Sequence, residues 1–108
     1  MKTRRLTGAL MLAALCVGGP AAAAGNPDEG RVKALPCMGC HGIPGYKNVY
    51  PTYHVPRLGG QHPEYLVLAL KAYKGGERGH KTMRAQAASL SDQDMADIAA
   101  FFSSASAD

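Results

Sequence analysis

The sequence predicts an all-α protein of about three helices. Three segments carry that prediction, each with a helix-start signal, a cap or a first-turn proline, and apolar residues at helical spacing. No stretch shows the sustained alternation of a half-buried strand. The first helix opens at Asn26-Pro27-Asp28-Glu29, where Asn26 can cap, Pro27 suits the first helical position and Glu29 completes an approximate capping box. It continues through Arg31, Val32 and Leu35, and Pro36 is expected to end or kink it. Gly30 has no Cβ, so another helix can approach closely there, with Ile98 and Phe101 as the matching residues. Residues 42–60 are rich in Pro, Gly and Tyr without a period, and read as loop. Pro63 opens a second helix, PEYLVLALKAYK, which Gly75-Gly76 stops. Its stripe is Tyr65, Leu68, Ala69, Ala72 and Tyr73. The segment GGERGHKTMRA reads as a further loop. Ser91 then caps the last helix, with Asp92 and Asp94 in the first turn, where the helix dipole favours negative charge. Its apolar face is Met95, Ile98, Ala99 and Phe102.

The front of the chain has a different character. Lys2, Arg4 and Arg5 precede an almost unbroken apolar run over residues 6–17, then Gly18-Gly19-Pro20 and a small-residue stretch. This layout predicts a secretory signal peptide over residues 1–24, cleaved before Gly25, with one domain over residues 25–108. Cys16 is expected to leave with it, since Leu15 does not suit a lipid-anchoring site. No segment is apolar for long enough to span a bilayer as a stable helix. The whole chain has a formal charge of +4, but three of its twelve cations lie in the leader; nine then face eight acids, a net +1. The apparent basicity is thus largely an export signal and gives nucleic-acid binding no support. A domain this small has a thin side-chain core, which a metal, disulfide or bound cofactor usually supplements.

Two cysteines remain, in LPCMGCHG. Cys37, Cys40 and His41 match C-x-x-C-H. A redox dithiol would expect a βαβ context, which is absent. A zinc site would need two histidines from His54, His62 and His80, at spacings that match no familiar pattern. Covalent haem attachment explains the spacing directly. Two thiols three residues apart lie on one side of a helical turn and can form thioethers with the two vinyl groups of one porphyrin. The adjacent histidine then puts an imidazole nitrogen on the iron. Met38, Met83 and Met95 are the methionines available for the opposite axial position, with His80 as the main rival and His54 and His62 behind it.

These segments together resemble the small monohaem class I cytochromes c of bacteria. The resemblance rests on the helix before CMGCHG, on VPRLGGQHPEYLVLALKAYKGGER, on the methionine-bearing loop and on LSDQDMADIAAFF. It implies a class I cytochrome c fold, about three helices packed around one covalently bound haem c. It further implies that Met83 is the second axial ligand beside His41, and that the Pro56 carbonyl binds the other imidazole nitrogen. Leu58, Leu68, Ile98 and the tyrosines are expected to line the pocket. Arg57, Gln61, Tyr53 and Arg78 are the candidates for contacts to the haem carboxylates. Pro36, directly before Cys37, departs from the usual pattern.

The function expected from this set is electron carriage rather than enzymatic turnover. With both axial positions filled, neither oxygen nor peroxide reaches the iron without displacing a ligand, so outer-sphere transfer is favoured. The expected protein is a soluble, monomeric periplasmic carrier between a reductase and a terminal oxidase or other acceptor. The alternative is a haem-based sensor or peroxidase with a labile sixth ligand. Residues 71–84 hold five cations and one anion, which suggests a docking face for a partly acidic redox partner.

Overall fold

The computed structural model describes residues 24–104. The leader expected over residues 1–24, Cys16 included, lies outside the described residues apart from Ala24, so the expected cleavage is not addressed by them. Five helices and one small hairpin follow in order: α1 (Pro27–Lys33), α2 (Leu35–His41), β1 (Lys47–Val49), β2 (Thr52–His54), α3 (Pro63–Gly75), α4 (Lys81–Ala87) and α5 (Asp92–Ser104).

The architecture is mostly helical, as expected, but three features go beyond the three helices predicted: a split first helix, a hairpin and α4. The first predicted helix is two. α1 stops at Ala34, where φ is −82° and ψ −3°, and α2 starts immediately after with Pro36 in its first turn. Pro36 has no N–H to give to the carbonyl four residues back, and its ring would clash with that carbonyl, so a continuous helix cannot pass. The chain restarts instead, and Pro36 opens the helix that carries the cysteines rather than closing the one before. The loop over residues 42–60 contains an antiparallel hairpin, in which Lys47, Asn48 and Val49 pair with His54, Tyr53 and Thr52. Each strand is only three residues long, too short to show a period of two.

α1 and α5 cross at Gly30. A Cβ built there would lie 1.9 Å from the Asp97 carbonyl oxygen and 2.9 Å from the Phe101 Cβ. The close approach expected at Gly30 is therefore present, against Phe101 as foreseen and against the Asp97 backbone. Around this crossing the core comprises Ala34, Leu66, Ile98, Ala99 and Phe102, with Cys37, Leu58, Val67, Leu70, Leu90 and Phe101 packed against it. Met95 is fully buried, as expected for a core residue.

A polar lock joins the same two helices. Asn26 accepts hydrogen bonds from the backbone N–H groups of Asp28 and Glu29, at 2.9 and 3.3 Å, and so caps α1. The reciprocal half of the cap does not come from Glu29: the Asn26 N–H donates to Asp97 on α5, at 2.8 Å. Asp97 is buried and also accepts from Gln93 at 2.8 Å and from the Lys33 ammonium at 2.5 Å. Lys33 reaches Asp94 as well, at 3.0 Å. The backbone N–H of Asn26 and then Lys33 hold the Asp97 carboxyl below its ordinary range. Ser91 and Asp94 exchange a complete capping box, Ser91 N–H to Asp94 at 2.9 Å and Asp94 N–H to Ser91 at 3.1 Å. That bond from Ser91, followed by Lys33, lowers the Asp94 pKa to about 2.

α3 packs on α5 with one face and on α4 with another. Leu66 is its buried residue, while Leu68, expected in the pocket, is 66% exposed. The sequence stripe erred at Leu68 while Tyr65, Ala69 and Tyr73 line the cavity described below, because α3 is apolar over a wide arc and its periodicity does not single out a face. α3 ends at Gly76, whose φ of 88° is the left-handed conformation that glycine adopts without strain.

Candidate cofactor site

Between α2 on one side and α3 and α4 on the other lies a cavity of about 400 Å³, within the roughly 300–1,000 Å³ of cofactor-sized sites. The backbone of α2 lies beside that of α1 but touches neither α3 nor α4, so the cavity separates them. α2 contributes Pro36, Cys37, Cys40 and His41 to its wall. The hairpin and the loop after it contribute Tyr53, His54, Val55, Pro56, Leu58 and Gln61. From α3 come Tyr65, Leu66, Ala69, Leu70 and Tyr73, from α4 Thr82, Met83 and Gln86, and from α5 Ile98 and Phe102. Arg78 and His80 close it from the α3–α4 connection.

The two thiols are free and half-buried. Burial pushes the Cys37 pKa up, and the neighbouring Cys40 adds to the effect. An attacking thiol in a dithiol oxidoreductase needs the opposite shift, so the environment of Cys37 does not suit the redox-dithiol alternative. Nor does the zinc alternative find support: among the described residues no group of three His, Cys, Asp or Glu side chains converges on one point.

His41 is oriented by the backbone. Its Nδ1 lies 2.7 Å from the Pro56 carbonyl oxygen. A carbonyl can only accept, so Nδ1 carries the hydrogen and Nε2 keeps its lone pair. Metal-bound histidines are fixed in this way, with the outer bond setting the tautomer and strengthening the ligand. The geometry places Pro56 where the sequence expected it.

The methionines separate clearly. Met95 is buried away in the core, and Met38 lines a different cavity. Of the three, Met83 lines the large cavity. It sits on α4 and not on a loop, a correction to the sequence expectation. Two glycines and an arginine just upstream hid a helix of only seven residues. His80 caps that helix, its Nδ1 accepting from the Met83 backbone N–H at 3.3 Å. Its ring also meets Tyr53 edge-on at 4.7 Å. His54 lines the same wall, whereas His62 precedes α3 and stays exposed outside it.

The remaining expected contacts divide. Leu58 and Gln61 line the cavity, and the Gln61 amide donates to the Arg57 carbonyl. Arg57 itself lines a second cavity of about 220 Å³, together with Met38, Ile43 and Phe101. Among the tyrosines, Tyr53, Tyr65 and Tyr73 line the large cavity, while Tyr50 is 96% exposed at the hairpin tip. In the basic stretch over residues 71–84 all five cations are exposed; Lys71 pairs with Asp92 at 3.6 Å, Lys74 donates to the Leu90 carbonyl at 2.5 Å, and Arg78 donates to the Tyr65 hydroxyl at 3.3 Å. Sequence reasoning missed Thr82 and Gln86, which the unforeseen α4 brings in, and the lock at Asp97, which looked like one more surface acid.

Two thiols, an imidazole with a free Nε2 and a thioether around one largely apolar cavity fit a covalently held haem by the chemistry of the donors alone. Comparison with known proteins agrees. Residues 31–106 match the Cytochrome c family. Cytochrome c4 of Pseudomonas aeruginosa is 40% identical over 87% of the chain, which covers 45% of that protein. Cytochrome c-554(548) of Halomonas halodenitrificans is 42% identical over 75% of the chain and 98% of its own length. The solved cytochrome c4 of Acidithiobacillus ferrooxidans superposes with a TM-score of 0.60 at 29% identity, covering 75% of this chain and 50% of that one. The chain thus spans about half the length of the cytochrome c4 relatives, and nearly all of the Halomonas protein. With the fold, the C-x-x-C-H helix and the family match in agreement, the chain belongs to the cytochrome c family, class I, whose members hold haem c covalently.

Proposed function

We propose that this protein is a soluble, monomeric one-electron carrier of the periplasm, holding a single haem c. The observation that supports the reading best is the donor set of the large cavity: Cys37, Cys40 and an Nδ1-anchored His41 on one wall, Met83 on another. In this reading Cys37 and Cys40 would hold the haem through thioethers, and His41 and Met83 would supply the ligands to its iron. Pro56 fixes the imidazole, while Leu58, Ile98 and Phe102 keep water from the ring faces. The haem supplies reversible one-electron chemistry, and a thioether ligand favours its reduced state relative to two imidazoles. The protein's part is to hold the coordination unchanged between oxidation states, so that little reorganises as the electron moves. Its partners are redox proteins, a reductase on one side and an oxidase or other acceptor on the other. The leader-like residues 1–24 support the compartment.

A visible spectrum of the periplasmically expressed protein tests the assignment. The ferric protein is expected to show the far-red thioether-to-iron band, lost in Met83→Ala and retained in Met95→Ala and His80→Ala. Persistence of the band in Met83→Ala would remove Met83 as the ligand. Carbon monoxide binding to the native ferrous protein at neutral pH would favour a sensor or peroxidase instead.

A further inference from the structure

α4, the helix that carries Met83, has little of its own to hold it. It is seven residues long, and isolated helices shorter than about 12 residues are marginal in water. Among the helices its backbone lies near α3 alone. Ala87 at its far end is its one buried residue, and Met83 is half-buried between that anchor and the start of the helix. The first turn has no acid to favour the helix dipole, and it opens on Lys81, whose charge opposes it.

His80 holds that start. Its ring Nδ1 accepts from the Met83 N–H at 3.3 Å, and its carbonyl accepts from the Arg84 N–H at 2.9 Å. The ring is held in turn by the hairpin and by α3: it meets Tyr53 edge-on at 4.7 Å and Tyr73 at 6.4 Å. The Tyr53 hydroxyl also donates to Thr82 at 3.4 Å. The capping bond decides which nitrogen does what. An N–H can only donate, so Nδ1 gives its lone pair to the Met83 N–H, and in the neutral ring the hydrogen sits on Nε2. Ligation through Nε2 would need the opposite tautomer, with a hydrogen on Nδ1 facing the Met83 N–H. His80 therefore cannot cap α4 and ligate iron at once.

We infer that His80 is a positioning residue for Met83. By capping α4 at the N–H of Met83 itself, it keeps the thioether at the cavity wall and slows its departure. The inference rests on the reading of Met83 as an axial ligand. The histidine that rivals Met83 in the sequence is its support in the fold.

The test uses the full chain expressed with haem attachment, comparing wild type with His80→Ala, His80→Phe and His80→Asn. Phenylalanine keeps a ring against Tyr53 but offers no acceptor. Asparagine offers the acceptor without the ring, and is among the best N-caps. Cyanide is the probe, since it binds the ferric iron only after Met83 has left. Its binding is expected to run roughly fivefold faster in His80→Ala and His80→Phe, the scale of one lost N-cap. In His80→Asn the rate returns toward that of wild type. Exchange of the Met83 amide hydrogen, followed by NMR in the ferrous protein, accelerates and recovers in the same order, while the far-red band of the resting ferric protein stays in all four. A wild-type cyanide rate in His80→Phe, or a rate in His80→Asn as fast as in His80→Ala, overturns this inference and leaves Met83 as the ligand. A wild-type protein without the far-red band overturns both.

Discussion

Alanine at Gly30 is expected to lower the stability of the protein by about 2 kcal/mol or more, a fall in melting temperature of roughly 10 °C for a domain of this size. Two effects compete. In a solvent-facing helix alanine would help by about 1 kcal/mol, because glycine loses more backbone freedom. Here the added Cβ would lie 1.9 Å from the Asp97 carbonyl oxygen and 2.5 Å from its carbon. Those atoms belong to the backbone of α5, which cannot swing aside as a side chain can, so α1 and α5 must separate along their whole contact. The clash outweighs the propensity gain. Gly39 provides the internal control: it is also helical, and a Cβ there meets nothing within 4 Å. Gly39→Ala is expected to melt at or above the wild-type temperature. Thermal unfolding followed by circular dichroism compares the two, and a Gly30→Ala protein as stable as wild type would refute the packing argument.

Removing Asp97 is expected to cost about 2 kcal/mol. Asp97→Ala leaves the Asn26 N–H and the Gln93 amide without their acceptor, and deprives Lys33 of its shorter ion pair. The loss stays below the 3–5 kcal/mol typical of a fully buried broken pair, because Lys33 is partly exposed and can still turn to Asp94. The same residues set an acid limit. Both carboxyls are depressed in the folded state, Asp94 to about 2. A depressed carboxyl stabilises the fold fully above its unfolded value, near 4. That contribution is lost as pH falls from there through the folded value. Melting temperature should therefore be insensitive to these two groups from pH 5 to 8 and decline below about pH 4. Asp97→Asn, which keeps an acceptor for Asn26 but no charge, is expected to show a shallower acid decline than wild type; an equal slope would mean that Asp97 is not part of the acid limit.

How far the sequence reached depended on how local each signal was. Cys37, Cys40 and His41 were legible because their chemistry requires one fixed spacing. The caps at Asn26 and Ser91 were legible because a cap is a contact within four residues. α4 was not, since its apolar residues are too few for a period and its N-cap is a histidine. Asp97 was not, because nothing in DQDMAD distinguishes the acid that points inward from the two that do not. Its partners Asn26 and Lys33 are 71 and 64 residues away. Arg57 and Arg78 were equally plausible in sequence; only the fold puts them on different cavities.

The restart of the helix at Ala34 bears on how such a protein is assembled. The backbone of α2 lies near that of α1 alone among the helices, and Cys37 is its residue packed against the core of α3 and α5 side chains, so the crossing of α1 with α5 and the packing of α3 against it depend little on the rest of the cysteine-bearing turn. Pro36 thereby acts as a joint. It divides the helix that crosses α5 from the turn that carries both thiols. The residue that breaks the pattern is thus where the order of folding and of covalent modification can be decoupled.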